Sequence, residues 1–189
     1  MNHKLCDKMV VIVISGQSTC GSTTTGNILA KKLGVNFFSV GRKYKEIAKE
    51  KTNEKETKAV AKFFSTKDGS KKSLHKMLDE MQVELAKRGN IVIDSKLGIR
   101  MIKNADLKVY LKAKRSVRIK RVAKRDHIPI EDARKILLKK DELEEKNFYK
   151  LYGFHPSEQE KEADIIIDTS DKTPEEITNI ILNELKARK

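Results

Sequence analysis

Residues 14–26, ISGQSTCGSTTTG, carry Gly16 and Gly21, five positions apart, and a run of hydroxyl side chains. From Gly16 to Thr23 they match a phosphate-binding loop at every fixed position except one, because Ser22 stands where such loops carry lysine. Glycines let backbone amides converge on an anion, a following helix directs its positive end at that anion, and the Thr23 hydroxyl is a suitable ligand for Mg²⁺. The alternative is a Ser/Thr-rich turn that only caps a helix. Its position directly after an apolar run favours the phosphate loop, either with charge supplied from elsewhere or as the remains of a site.

Other side chains that could take part in binding or catalysis lie further apart in the sequence. Asp94 ends the apolar run NIVID, at the carboxyl end of a predicted strand. Arg121 and Arg125 fall one helical turn apart and therefore project from the same helix face. An exposed basic face is the commoner explanation of such a pair.

For two histidines and one cysteine, the sequence favours a structural role over a catalytic or metal-binding one. His75 and His127 lack partners at ligand spacing, so we expect surface histidines. Cys20 lies inside the loop at a predicted helix N-terminus, where a thiol pKa should fall. A redox-sensitive loop is one interpretation of Cys20, and a small residue that fills a tight turn is the favoured one.

Five apolar stretches are predicted as strands. The first, MVVIVIS, is β-branched on both parities, which is typical of a strand buried on both faces of a parallel sheet. The predicted strands are 9–15, 35–40, 90–94, 106–113 and 163–170. Helices are predicted between them, including 42–51 with an apolar inner face, an amphipathic helix in 73–89, a basic region 115–150 divided at Pro129, and a C-terminal helix capped by Thr173. Residues 52–73 are the least regular, with a helical KETKAVAKFF followed by STKDGSKK, and GFHPSEQEKE (153–162) is predicted as a solvated turn.

This alternation of strands and helices predicts an α/β fold, a five-stranded parallel sheet with helices on both faces. Ligands of such folds bind at the carboxyl ends of the strands. The chain of 189 residues predicts one domain. Two cysteines and no metal-type Cys/His cluster argue against a disulfide framework or a zinc module. The short apolar run after MNHKLCDK is too short for a signal peptide or membrane span, so we expect a cytoplasmic protein with no membrane partner.

The charge balance is strongly basic. Lys and Arg number 41 against 27 Asp and Glu, a formal net charge of +14 that attracts polyanions. Nucleic acid is compatible with this charge, as are a nucleotide-phosphate pocket and a lysine-rich surface adapted to heat or salt. No RGG tract or interleaved aromatic stripe accompanies the charge, so composition does not choose among them.

The order of several motifs resembles the archaeal-type cytidylate kinases, within the nucleoside-monophosphate kinases. The resemblance runs through ISG…GSTTT…LAKKLGVNFFSVG, GRKYKEIAKE, LDEMQVELAKRGNIVID, NADLKVYLKAKRSVRIKRVAKRDHI, YGF and ADIIIDTS, which together cover nearly the whole chain. It implies a three-layer P-loop kinase fold in a single domain, 1–189. The core would comprise 9–51, 90–126 and 163–188, with an acceptor-binding insertion at about 52–89 and a short helical lid without zinc at about 127–150.

The resemblance also implies roles for individual residues. Thr23 and Asp94 would hold Mg²⁺, and Arg121, Arg125 and Lys140 would be catalytic cations on the donor side. The acceptor nucleotide would be bound by Lys45, Asp79, Gln82 and Lys96. The phosphates of ATP would be cradled by Gly16, Gln17, Ser18, Thr19, Cys20, Gly21, Ser22, Thr23 and Thr24.

Six positions depart from the family pattern of lysine or arginine. They are Ser22, Lys45, Met81, Lys96, Lys140 and Asn147, and the three lysines keep the positive charge. The expected activity is transfer of the γ-phosphoryl group of MgATP to CMP or dCMP by a monomeric kinase, with Met81 leaving uridylate, adenylate or a deoxy form open. The alternatives are a weak or inactive nucleotide-binding relative and a basic RNA-binding protein on the same fold.

Overall fold

The computed structural model describes residues 9–52, 59, 62–63, 66–67 and 72–188. Within them, five parallel strands form one sheet in the order β2-β3-β1-β4-β5, which confirms the predicted α/β architecture. The strands are β1 (Val11–Gly16), β2 (Asn36–Ser39), β3 (Ile91–Asp94), β4 (Leu107–Lys112) and β5 (Ile165–Asp168).

Helices connect these strands and cover both faces of the sheet. They are α1 (Ser22–Leu33), α2 (Val40–Thr52), α3 (Lys72–Lys87), α4 (Gly98–Met101), α5 (Arg115–Asp126), α6 (Ile130–Tyr152) and α7 (Pro174–Ala187). A 3-10 helix, Pro156–Glu162, precedes β5. Pro129 lies directly before α6, so the predicted division of the basic region is confirmed. The Thr173 side chain accepts a hydrogen bond from the Glu176 amide at the start of α7, as predicted.

Successive side chains of β1 point to opposite faces of the sheet and belong to the two main apolar layers. Ile12 and Ile14 pack on one face with Leu29 of α1 and Ile181 of α7, while Val13 packs on the other face with residues of β3 and α4. Ile12, Val13 and Ile14 have no solvent exposure, as expected for a strand buried on both faces. A third cluster lies to one side, where α2, α3 and α6 bring aromatic side chains together.

Three sequence expectations change in the structure. Helix α2 begins at Val40, directly after β2, rather than at Arg42. Residues 156–162 form a 3-10 helix instead of a solvated turn, because Pro156 and Gln159 are buried against the rest of the fold. The short helix α4 was not predicted, since four residues are too few to show a helical period. The predictions for KETKAVAKFF and STKDGSKK fall largely outside the described residues, as does the polar start of the chain.

None of the helices in the described ranges is both long enough and apolar enough to cross a membrane.

Candidate functional site

The loop between β1 and α1 contains positive-φ residues of the kind that anion-binding nests use. A Cβ atom added at Gly16 would lie 2.1 Å from the carbonyl oxygen of Leu111, so only glycine fits where the loop leaves the sheet. Gly21 has φ 98° directly before α1, and Thr19 has φ 62°, a conformation uncommon outside glycine and typical of functional loops. The amino end of α1 therefore faces the loop, with Ser22 and Thr23 in its first turn.

Asp94 lies at the carboxyl end of β3, in register with both Ile14 of β1 and Ser39 of β2. Its Oδ2 accepts hydrogen bonds from Thr23 Oγ1 at 2.5 Å and from Ser39 Oγ at 2.7 Å. One carboxylate and one hydroxyl at a phosphate loop are the protein ligands that Mg²⁺ uses when phosphates and water complete its shell. Among the described residues, no group of three or more His, Cys, Asp or Glu side chains could hold a metal ion by itself.

A buried cluster of charges lies against the phosphate loop. The Glu144 carboxylate, on α6, is 2.7 Å from Lys140 Nζ and 3.1 Å from Lys96 Nζ, and it accepts a hydrogen bond of 2.8 Å from Ser18 Oγ. Lys140 also donates to Ser18 Oγ at 2.5 Å, and Lys96 donates to it at 3.3 Å. The side chains of Lys140 and Glu144 are each 11% exposed, so little water screens this cluster.

The protonation states of the cluster follow from its geometry. Burial raises the pKa of Glu144, but the two adjacent ammonium groups outweigh burial and hold that pKa well below its usual range. Burial lowers the pKa of Lys96, yet Glu144 and Asp141 outweigh it and leave the pKa raised. The pKa of Lys140 stays lowered, because burial and the neighbouring Lys96 outweigh the attraction of Glu144. The Glu144 carboxylate is therefore the shared counter-ion of Lys96 and Lys140 beside the loop.

A second ion pair fastens α5 to α6 beside this cluster. The Arg118 guanidinium of α5 is 8% exposed and pairs with the Asp141 carboxylate of α6. Burial raises the pKa of Asp141, and the charge of Arg118 opposes that rise. The pair fixes the helix turn that carries Lys140 and Glu144.

The two arginines predicted on one face of α5 have different surroundings. Arg121 donates to the Thr169 carbonyl at 2.6 Å, to Thr169 Oγ1 at 3.0 Å and to the Thr19 carbonyl at 3.3 Å. Thr169 Oγ1 in turn donates to the Cys20 carbonyl at 2.8 Å, so Arg121 is tied to the phosphate loop. Arg125 lies further out and pairs with Asp126 at 2.8 Å.

A cavity of about 140 Å³ extends from the loop towards α2 and α3. At its far end the Asp79 carboxylate accepts hydrogen bonds from Gln82 Nε2, at 2.9 Å, and from the Tyr152 hydroxyl. Burial raises the pKa of Asp79 although both partners oppose the rise. Aromatic side chains line this end, including Tyr44 and Phe148.

His75 and Cys20 differ from their sequence predictions. His75 is only 5% exposed and lines the cavity, with its ring 5.7 Å from the rings of both Tyr44 and Phe148. The prediction of a surface histidine was wrong because α3 turns this residue towards the aromatic cluster. His127 is exposed, as predicted. Cys20 is 1% exposed, and burial raises its thiol pKa, whereas the helix N-terminus alone predicted a fall.

The structure brings most of the predicted site residues to one cavity. Cys20, Gly21, Thr24, Gln82, Arg121 and Arg125 do not line it. The predicted residues that do are Gly16, Gln17, Ser18, Thr19, Ser22, Thr23, Lys45, Asp79, Asp94, Lys96 and Lys140.

Sequence reasoning missed several residues that line this cavity or support its lining. Glu144 is four residues after Lys140, a spacing that places both on one helix face and could have revealed the pair. Tyr44 and Phe148 carried no signal beyond being apolar. Gln159 was missed because its segment was interpreted as a solvated turn. The Gln159 amide donates to the Lys96 carbonyl at 2.8 Å and accepts from the Arg100 amide at 3.1 Å.

The fold and the phosphate loop together define a P-loop kinase architecture. Solved structures of similar fold include an uncharacterized protein from Eubacterium ventriosum, with a TM-score of 0.68, 13% identity, and coverage of 94% of this chain and 98% of that one. Shikimate kinase from Acinetobacter baumannii, in complex with shikimate, has a TM-score of 0.63 and 19% identity, with 96% of each chain covered. At such identities the likeness concerns the fold alone.

Sequence comparison is more specific. Residues 11–171 match the model of the cytidylate kinase-like family. The cytidylate kinase of Pyrococcus horikoshii is 34% identical over 175 residues, which cover 93% of this chain and 87% of that protein. The cytidylate kinase of Ignicoccus hospitalis is 34% identical over 180 residues, which cover 92% of this chain and 97% of that protein. The chain belongs to the cytidylate kinase-like family.

Proposed function

We propose that this protein transfers the γ-phosphoryl group of ATP to a nucleoside monophosphate, and that CMP or dCMP is the acceptor. The observation that carries the proposal is the cavity that joins a phosphate loop to an aromatic pocket with a carboxylate at its end. Membership of the family and the names of the related proteins support the same activity.

On the donor side, the loop amides and the amino end of α1 bind the phosphates of ATP. Lys140 and Arg121 supply positive charge beside them, and Arg125 extends the same face of α5 outward. Thr23 and Asp94 would hold Mg²⁺, which neutralises part of the phosphate charge when bound. The work of these residues is positioning and charge neutralisation, because phosphoryl transfer asks little covalent chemistry of the protein.

On the acceptor side, Lys45 lies in the cavity where an acceptor phosphate would meet it. Asp79 is suited to select the base. A carboxylate has about four acceptor sites, of which Gln82 and Tyr152 use two, so it can still accept from the exocyclic amino group of cytosine. Uracil presents a carbonyl oxygen at the same position, which a carboxylate repels. Asp79 therefore favours CMP over UMP.

The test is a coupled assay of ADP formation with CMP, dCMP, UMP, AMP and GMP at saturating MgATP. We expect the highest kcat/KM with CMP or dCMP. Asp79→Asn should reduce the preference for CMP over UMP by roughly 10- to 100-fold, the value of one good hydrogen-bonded base contact.

Glu80→Gln is the matched control, because Glu80 is the next residue of α3 and its side chain is 65% exposed. It should leave the preference unchanged. Absence of ADP formation with every monophosphate would contradict the proposal. That result, with binding of ATP retained, would favour an inactive relative, an alternative that the comparisons do not support. They do not support RNA binding either.

A further inference from the structure

The phosphate loop lacks its usual lysine, yet an ammonium group is held inside it. Lys96 Nζ donates to the Gly16 carbonyl at 3.1 Å and to Ser18 Oγ at 3.3 Å, and both acceptors belong to the loop. Lys96 follows β3, the immediate neighbour of β1 in the sheet, so the sheet order delivers its side chain to the loop. In loops with the full motif, the lysine after the second glycine reaches the β- and γ-phosphates from within the loop itself.

We propose that Lys96 is the donor-phosphate lysine of this protein and replaces the ammonium group that Ser22 lacks. The inference rests on the proposed use of ATP as phosphoryl donor. It moves Lys96 from the acceptor role that the family resemblance implied to the donor side.

Lys96 meets the demands of this role better than Lys140. Lys96 contacts two loop residues, whereas the contact of Lys140 with the loop is through Ser18. The backbone carbonyl of Lys96 is held by the buried Gln159 side chain, so the base of the side chain is fixed to the core. Its raised pKa also keeps Lys96 charged, while that of Lys140 is lowered.

Glu144 is the positioning residue for this lysine. Its carboxylate lies 3.1 Å from Lys96 Nζ and accepts from Ser18 Oγ, so it brings negative charge to the place where the loop binds an anion. A donor phosphate offers the same ammonium group a negatively charged oxygen. Lys96 is therefore oriented over the loop before ATP binds, and a phosphate oxygen replaces one of the three acceptors that its ammonium group contacts.

The test is titration calorimetry with the magnesium complex of a non-hydrolysable ATP analogue, AMP-PNP, in the absence of any monophosphate. Lys96→Met should raise the Kd for the analogue on the order of 10- to 100-fold, as expected for loss of a charge-assisted contact. Adding Ser22→Lys to that variant should restore most of the affinity, because the new side chain reaches the phosphates from the ordinary position.

Two variants serve as controls. Lys43→Met removes the same charge from α2 at an exposed position paired with Glu46. It should leave the Kd for the ATP analogue and the Kd for CMP unchanged. Lys45→Met should weaken binding of CMP while the Kd for the ATP analogue changes little. Where Lys96→Met lowers the folded fraction, Lys96→Gln is compared with the unsubstituted protein, since its amide can still donate a hydrogen bond to Glu144 while the charge is removed. The same fold-change is expected there.

A Kd for the ATP analogue within 3-fold of the unsubstituted protein would overturn the inference, and a loss that Ser22→Lys does not restore would also overturn it. The readout needs no acceptor. If the protein forms no ADP with any monophosphate while ATP binding depends on Lys96, the proposed transfer fails and the contact of Lys96 with the ATP phosphates stands.

Discussion

At the scale of the residue, the main feature of the site is one carboxylate that forms ion pairs with two lysines. Glu144 lies between Lys96 and Lys140 in a region with little solvent, where removing one member of a charge cluster leaves the others uncompensated. The cluster places two ammonium groups beside a loop that has Ser22 in place of lysine. Its members come from the phosphate loop, the segment after β3 and α6.

This arrangement predicts a pH-dependent effect of Glu144→Gln. At pH 7 the variant should lose roughly 3–5 kcal/mol of unfolding free energy, because two buried ammonium groups lose their counter-ion. The pKa of Glu144 is lowered by folding, so its stabilising effect is complete above the unfolded pKa of about 4.5 and is lost as the pH falls below that value. The difference in unfolding free energy between the unsubstituted protein and Glu144→Gln should therefore become smaller at acidic pH. The measurement is urea denaturation from pH 7 to pH 3.

Glu142→Gln is the control for this prediction. Glu142 lies on the same helix in an exposed pair with Lys139, and its loss should change stability little at any pH in the range. Equal stabilities of the two variants at pH 7 would show that the Glu144 cluster contributes nothing.

At the scale of the element, the 3-10 helix before β5 supports the segment that carries Lys96. Gln159 has no solvent exposure, and its amide group forms hydrogen bonds with both the Lys96 carbonyl and the Arg100 backbone amide of α4. Arg100 adds ion pairs with Glu158 and Glu162 of the same 3-10 helix. A segment expected to be a solvated turn thus holds a cavity-lining lysine in place.

Gln159→Leu should therefore destabilise the protein and weaken its binding of nucleotide. The leucine leaves the Lys96 carbonyl without its side-chain partner, at a cost of roughly 1–3 kcal/mol, and removes one of the two acceptors of the Arg100 amide, which keeps the Leu97 carbonyl. Thermal unfolding and the Kd for AMP-PNP are the measurements. Ser157→Ala, at an exposed position of the same helix, should change neither quantity. A Gln159→Leu protein with unchanged stability would contradict this role.

At the scale of the whole molecule, one cavity reaches from the carboxyl ends of the strands to the aromatic cluster of α2, α3 and α6. The phosphate loop lines one end and Asp79 the other, so two nucleotides would bind with their phosphates towards each other. The net charge of +14 is compatible with such a pair of polyanionic ligands.

A bisubstrate analogue, adenosine and cytidine joined by a pentaphosphate, should stabilise the protein more than ATP and CMP added together. Linking the ligands makes the second contact intramolecular and raises its effective concentration. At 1,000 times its Kd the analogue contributes about 4 kcal/mol, which for a chain of this length is a rise in Tm of roughly 8–16 °C. Thermal unfolding is the measurement.

A rise in Tm no greater than that with ATP alone would contradict a continuous two-nucleotide site. The analogue with uridine in place of cytidine tests the base preference.

The sequence by itself determined the features that depend on neighbouring residues. The short apolar runs predicted all five strands, the glycine spacing predicted the loop at Gly16–Ser22, and Pro129 and Thr173 marked helix boundaries. These signals arise from backbone preference and periodicity within a few residues. Only the tertiary structure decided that Ser18, Lys96 and Glu144 meet, that His75 faces a cavity and that burial raises the pKa of Cys20. Those outcomes depend on the sheet order and on the helices packed against it, which bring together residues far apart in the chain and remove their water. Local periodicity carries no record of such contacts, and for that reason only the tertiary structure shows Lys96 at a loop that has Ser22 in place of lysine.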